Sequence, residues 1–354
     1  MRSLIRTVLF LGAGLLSLSV RQAEGETGWH LVTIGAREYV PIEDFCRFYH
    51  LSSVEPLEGE IRLSGSTGTV EGKQGGPYVF IDGIRHALSF PLLQRDRQWY
   101  VSRTDLSCLF DPIFRPSRVP VRLSFQGVVI DPGHGGQDKG AKSRNGRYEK
   151  EYTLDTARRL GAILRSQGIP VVFTRTRDLF VPLDERVRIA RSYPDYVFVS
   201  LHYNQSEPSG HGVETYCLAP RGAPSSNNGS WVRRVDYLPL PGNGNDLLNT
   251  LLAHEIHLEL VRLRPDDPEM DRGFRRARFV VLRDNPLPGV LVEGGFLSDP
   301  IDSSWIDRAE YRQRLAEAVA CGLGRFFQVT RIQTASPPIG ERNTGRGSHR
   351  RAFP

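Results

Sequence analysis

The side chains best suited to chemistry in this sequence are two histidines and two glutamates, each placed where a predicted element begins or ends. His134 lies in the run Asp131-Pro132-Gly133-His134-Gly135-Gly136, directly after the apolar stretch Gly127 to Ile130. That puts a histidine on a Gly-rich loop at the carboxyl edge of a strand, where open α/β sheets build their sites. Glu149 opens a predicted helix, and His202 closes the apolar run Val197 to Leu201. Two histidines and a carboxylate at one edge of one sheet make a two-His, one-Glu zinc site with an open fourth position. Glu293 follows Val290, Leu291 and Val292. A carboxylate ending a buried strand is costly unless it is used or paired. Facing a metal, it can act as general base toward water and then as proton donor to a leaving amine.

The same residues admit other uses. The Gly-rich loop could cradle phosphate, but the dinucleotide and P-loop spacings are absent. Acidic residues at Glu149 and Glu151 also suit a helix N-terminus for purely electrostatic reasons. His254 and His257 flank Glu255 on a predicted helix, but a zinc-protease pair needs histidines four apart on one helical face. They are read as helix surface, and His211, between two glycines, as a turn residue.

The elements that must hold these residues read as α/β. From Val121 onward, strands at Gly127 to Ile130, Val171 to Thr174, Val197 to Leu201 and Val213 to Cys217 alternate with helices at Tyr152 to Gln167 and Leu183 to Ser192. A helix at Asp246 to Leu263, strands at Phe279 to Leu282 and Val290 to Val292, and a helix at Glu310 to Phe327 complete the unit. This pattern predicts a twisted, mostly parallel sheet flanked by helices. A Pro-, Gly-, Ser- and Asn-rich insert occupies 219–245 and reads as a surface loop. Residues 28–110 form a small β-rich domain with one helical candidate, Ile42 to Tyr49. A Pro-containing linker at 111–120 joins it to a catalytic domain at 121–330, and 333–354 reads as a disordered basic tail.

The chain has 354 residues, of which 39% are hydrophobic and 24% charged, enough to bury a sizeable core. Its 46 Lys and Arg exceed its 40 Asp and Glu, with local arginine clusters. That excess suits solvated surface, or attraction to an anionic polymer such as a cell wall or nucleic acid. Arg2 and Arg6 precede an apolar run from Val8 to Val20 and small residues ending at Gly25. Residues 1–25 therefore read as a secretory signal, too short for a stable membrane span. Cys46, Cys108, Cys217 and Cys321 are scattered singly and are expected as buried free thiols, with Cys46 and Cys108 the only pairing worth considering.

From about Val128 to Phe326 the chain resembles the zinc-dependent N-acetylmuramoyl-L-alanine amidases. The resemblance runs through Asp131 to Gly136, Glu149 and Lys150, Leu183 to Ala190, Ser200 to Asn204, Gly212 to Tyr216, Asp271 to Phe274 and Leu291 to Ser298. It implies zinc held by His134, Glu149 and His202, with Glu293 as the catalytic glutamate. Glu214, in a Gly-Val-Glu-Thr element, and Asn204 are candidate supporting groups. The implied substrate is peptidoglycan, cut between the lactyl group of N-acetylmuramic acid and L-alanine. The periplasm is the expected location, a regulatory activator protein is a candidate partner, and no nucleic acid is expected. The alternatives are a zinc peptidase acting within the stem peptide and a non-catalytic wall-binding protein. Tyr203, where the family usually has a small residue, and Asp299, replacing a common Asn, depart from the pattern. Residues 28–110 resemble the small N-terminal domains named after copper amine oxidases, with no copper ligands implied.

Overall fold

The computed structural model describes residues 29–335 apart from 55–57, 122–123, 207–209 and 227–230. The expected secretory signal and residues 336–354 of the expected tail lie outside the described residues.

The N-terminal part runs β1 (Val32–Ile34), β2 (Arg37–Pro41), α1 (Ile42–Tyr49), β3 (Leu51–Val54), β4 (Glu60–Gly65), β5 (Gly68–Lys73), β6 (Tyr78–Ile81), β7 (Ile84–Ala87), β8 (Leu93–Arg95) and β9 (Gln98–Ser102). Short helical turns follow: α2 (Arg103–Asp105), Leu106–Phe110, α3 (Asp111–Phe114) and Pro116–Arg118. The second part runs β10 (Gly127–Pro132), α4 (Glu149–Ser166), β11 (Val171–Phe173), α5 (Leu183–Arg191), β12 (Tyr196–Asn204), β13 (Val213–Leu218), α6 (Asp246–Val261), β14 (Asp271–Ala277), α7 (Val280–Arg283), β15 (Gly289–Phe296), α8 (Pro300–Ile306) and α9 (Ala309–Ala335).

The main sheet has the order β11-β10-β12-β15-β13-β14-β7-β6-β5-β4-β3. β11, β10, β12 and β15 are mutually parallel, β13 runs antiparallel to β15, and β14 is parallel to β13. Every residue of β10 is buried, as expected of a parallel strand covered on both faces, which explains its unbroken apolar run. Helix α4 starts at Glu149, where Tyr148 donates its N–H back to Glu151 Oε1 at 3.1 Å, closing the first turn. Helices α4 and α6 both pack on α9.

The two parts share one core. Phe45, Leu63 and Ile81 belong to the same buried cluster as Ile130, Leu160, Leu252 and Phe326. The sheet also crosses the junction, because β7 pairs with β14 through His86 and Phe274. The stretch expected as a linker is helical at Asp111–Phe114 and Pro116–Arg118.

Two element assignments change. Phe279 to Leu282, expected as a strand, is the one-turn helix α7, since a short apolar run does not distinguish the two. The strand is instead β14, whose Asp271, Arg272, Arg275 and Arg276 disguise it as a polar loop. All four cysteines are free thiols; Cys217 is buried but Cys321 is exposed, contrary to expectation.

Candidate metal centre

The loop carrying His134 is fixed from below by a buried ion pair. Arg186, on α5, donates from NH1 to Asp131 Oδ1 at 2.6 Å and to Pro132 O at 2.7 Å, and from NH2 to His134 O at 2.7 Å. Thr174 and Ser200 donate to the two oxygens of Asp131 at 2.5 and 2.8 Å. Burial works to raise the Asp131 carboxyl, but the Arg186 guanidinium and the two hydroxyls outweigh it and hold the group below the usual carboxylate range. Above this base His134 adopts φ +60°, a region costly for a residue with a side chain. Gly133 is required because a Cβ there would meet the His202 ring at 2.3 Å.

Glu149, with little exposure, joins the two histidines. Its Oε1 accepts from His202 Nδ1 at 2.9 Å and from the Tyr203 N–H at 3.0 Å. Its Oε2 lies 2.9 Å from His134 Nε2 and accepts from the Ala141 N–H at 2.9 Å. Burial opposes ionisation of Glu149, yet its bonds to His134 and His202 pull the carboxyl well below its ordinary range. His134 is conversely raised, burial being outweighed by Glu149 and Asp138. One donor atom from each of His134, Glu149 and His202 lies within 4.8 Å of the others.

The donor set fits zinc: two imidazole nitrogens and one carboxylate, with cavity on the remaining side. The cradle around it is tight, since a Cβ on Gly140 would come within 2.5 Å of Glu149 Oε2 and 2.6 Å of His134 Cδ2. Asp138 completes the arrangement by accepting from His134 Nδ1 at 2.9 Å, which fixes the ring and leaves Nε2 facing the centre. The order of residues missed Asp138, although its position four residues after His134 on the same loop is visible.

His202 and Glu293 are register partners on β12 and β15, and Glu214 on β13 is the partner of Glu293 on its other side. Glu293 lines the same cleft as the three donors, and its Oε2 has no hydrogen-bond partner. Burial, then the charges of Glu149 and Glu214, raise its carboxyl well above the ordinary range. Asn204 also lines the cleft, which has a volume of about 820 Å³ and is lined in addition by Phe180, Leu183, Phe279 and Val280. Glu214 is buried behind it and accepts from Asn204 Nδ2 at 2.9 Å, Tyr216 OH at 2.8 Å and two arginines. Thus the predicted ligands, the predicted base and Asn204 meet in one cleft, and Glu214 is linked to it through Asn204.

The two departures from the family pattern are absorbed locally. Tyr203 is buried, and its hydroxyl shares a 2.6 Å hydrogen bond with Thr156 on α4. Asp299 caps α8 by accepting from the Ile301 and Asp302 N–H groups, both at 2.9 Å.

Three other histidines differ from their expected surface roles. His257 is fully buried, with Nε2 3.0 Å from Asp271 Oδ1 and Nδ1 2.9 Å from Thr215 Oγ1. His254 Nδ1 lies 3.0 Å from His86 Nε2. Because Ile84 O, 2.7 Å from His86 Nδ1, can only accept, neutral His86 carries its hydrogen there and takes one from His254. Burial keeps both rings neutral, with His254 lowered to about 4. His211 is not a bare turn residue but contacts Asp267 and Asp299 at 2.7 and 2.9 Å. Its grouping with Asp299 and Asp302 already has a cation, since Arg264 lies 2.5 Å from Asp302. Among the described residues, none of 219–245 lines the cleft. The insert is tied to the cleft rim by Arg278, which donates to Ala223 O at 2.8 Å and Pro220 O at 3.0 Å.

Fold and site together describe an α/β domain with three candidate metal donors and a buried carboxylate beside them. The family model described as N-acetylmuramoyl-L-alanine amidase matches residues 128–325. N-acetylmuramoyl-L-alanine amidase AmiA of Salmonella typhimurium is 32% identical over 225 residues, covering 56% of this chain and 75% of that protein. AmiC of Neisseria meningitidis is 33% identical over 227 residues, covering 57% and 53%. Among solved structures, AmiC2 of Nostoc punctiforme superposes with a TM-score of 0.46 at 33% identity, covering 57% of this chain and 96% of that one. The chain belongs to the N-acetylmuramoyl-L-alanine amidase family. Its activity is the amide hydrolysis that gives the family its name.

Proposed function

We propose that this chain hydrolyses the bond between N-acetylmuramic acid and L-alanine of peptidoglycan with zinc held by His134, Glu149 and His202 and with Glu293 as the proton carrier. The observation that carries the proposal is the orphaned Glu293 Oε2 in the cleft that the three donors share. A buried polar oxygen left without a partner is expensive unless chemistry uses it. Bound zinc supplies Lewis acidity, which makes water an effective nucleophile near neutral pH and steadies negative charge on the carbonyl oxygen.

The chain's own residues do the rest. Asp138 orients the His134 imidazole. Glu293 accepts a proton from water as the water oxygen bonds to the amide carbon, then delivers that proton to nitrogen as the carbon–nitrogen bond breaks. Burial, and then the charges of Glu149 and Glu214, raise the affinity of the Glu293 carboxylate for a proton. The apolar walls at Phe180, Leu183, Phe279 and Val280 limit competing water around the scissile bond.

We place the enzyme in the periplasm, with residues 1–25 as its export signal and 28–110 and 121–330 as its domains. A regulatory activator protein remains the proposed partner. No helix among the described residues is long and apolar enough to cross a membrane.

The test is metal analysis beside kinetics. Wild type and Glu293→Gln should both hold one zinc, with Glu293→Gln at least about 10²-fold slower. Near-wild-type turnover by Glu293→Gln would remove Glu293 from this role, and wild type that hydrolyses peptidoglycan while free of zinc would remove the metal.

A further inference from the structure

Strand β14 is irregular at the point where it approaches the site. An advance of two residues on β13, Val213 to Thr215, matches an advance of three on β14, Asp271 to Phe274. The extra residue is a β-bulge, with Gly273 at φ +105°, a conformation that favours glycine. Arg272 and Arg275 are three apart and would point to opposite faces of a regular strand. The bulge instead brings both onto one oxygen: Arg272 Nε and Arg275 NH1 lie 2.9 and 2.5 Å from Glu214 Oε1. The other oxygen of Glu214 holds Asn204 at 2.9 Å, and Glu214 faces Glu293 across the strand pair.

The N-terminal part grips this bulge. The Arg85 N–H donates to Asp271 Oδ2 at 2.7 Å. Arg85 also lies over Gly273, where an added Cβ would come within 3.2 Å of its Cγ and its carbonyl oxygen. Arg275 NH2 reaches Tyr78 OH at 3.4 Å. Without β7, β14 would be an open sheet edge, free to straighten or fray.

We propose that residues 29–110 act as a positioning element of the active site: by clamping the β14 bulge they hold Arg272 and Arg275 on Glu214, which in turn fixes Asn204 and the surroundings of Glu293. Arg272 and Arg275 are positioning residues, since they act through Glu214. The inference rests on Glu293 being the proton carrier.

The test uses the full chain and a soluble muramoyl-peptide substrate, with kcat, KM, zinc content and Tm measured for each variant. Arg275→Met should lower kcat by roughly ten-fold or more with KM and zinc content little changed, and Arg275→Lys should restore part of the loss. Arg275→Met combined with Glu214→Gln should be no slower than Glu214→Gln alone, because the two act as one unit. Asp271→Ala, which removes the acceptor that the Arg85 N–H grips, should lower kcat in the same way and keeps the idea testable if Arg275→Met does not fold. Wild-type kcat in Arg275→Met or Asp271→Ala, losses that multiply in the double variant, or a loss that follows zinc content would overturn the proposal. Glu293→Gln run alongside separates the cases: its full activity would instead sink the assignment of the base.

Discussion

Replacing Arg186 with Met should destabilise the protein by about 3–5 kcal/mol at pH 7, the usual cost of stranding one partner of a buried ion pair. The figure follows from the surroundings: both groups are almost wholly buried at 3% and 1% side-chain exposure, and among the described residues no second cation hydrogen-bonds to Asp131. The pH dependence should weaken. In wild type the folded Asp131 is held below its unfolded range, so its contribution is present above the unfolded pKa and is lost as pH falls through the folded one. In Arg186→Met, burial is opposed only by the Thr174 and Ser200 hydroxyls and by nearby Arg175, so the folded value rises and the stability that ionised Asp131 contributes at high pH is reduced. The penalty should therefore be largest near neutrality and shrink toward pH 4. Urea unfolding of wild type and variant at pH 4, 5.5 and 7 reads both effects. A loss below about 1 kcal/mol at pH 7, as expected of a surface pair, would refute the view that this pair anchors the His134 loop.

Asp138→Ala should weaken zinc binding roughly ten-fold, the lower end for an outer partner of a ligand histidine, because Asp138 is 43% exposed and water can replace it. Competition with a chromogenic chelator measures this, and activity should return at saturating zinc. Gly140→Ala should lose zinc and activity together, since φ is +65° and the new Cβ meets Glu149 and His134; metal analysis of the purified variant would show it. Asp246, raised to about 6 by burial, costs stability as pH rises from its unfolded value through 6. Asp246→Asn should accordingly raise Tm at pH 8 and leave it unchanged at pH 4, as thermal scans can check.

That the proposed donors and Glu293 would share one cleft was legible in the sequence because strand ends and a helix start locate them: apolar runs stop at His202 and Glu293, and a Gly-rich run surrounds His134. What surrounds them was not. Arg186 and Asp131 lie on a helix and near a strand end 55 positions apart, yet they form a buried pair. Arg272 and Arg275 hide β14 because charged residues depress its apolar pattern, although those charges are consumed by Glu214. The contact between β7 and β14 joins residues nearly two hundred positions apart, and no local pattern encodes a pairing of that kind. His257 and His254 looked like surface because their partners, Asp271 and His86, come from other strands.

The central claim is tested most directly by digesting purified peptidoglycan with zinc-loaded wild type and Glu293→Gln and sequencing the released fragments by mass spectrometry. The account predicts intact stem peptides with a free L-alanine amine from wild type and none from Glu293→Gln. Fragments cut inside the stem peptide, or the same products from both proteins, would contradict it.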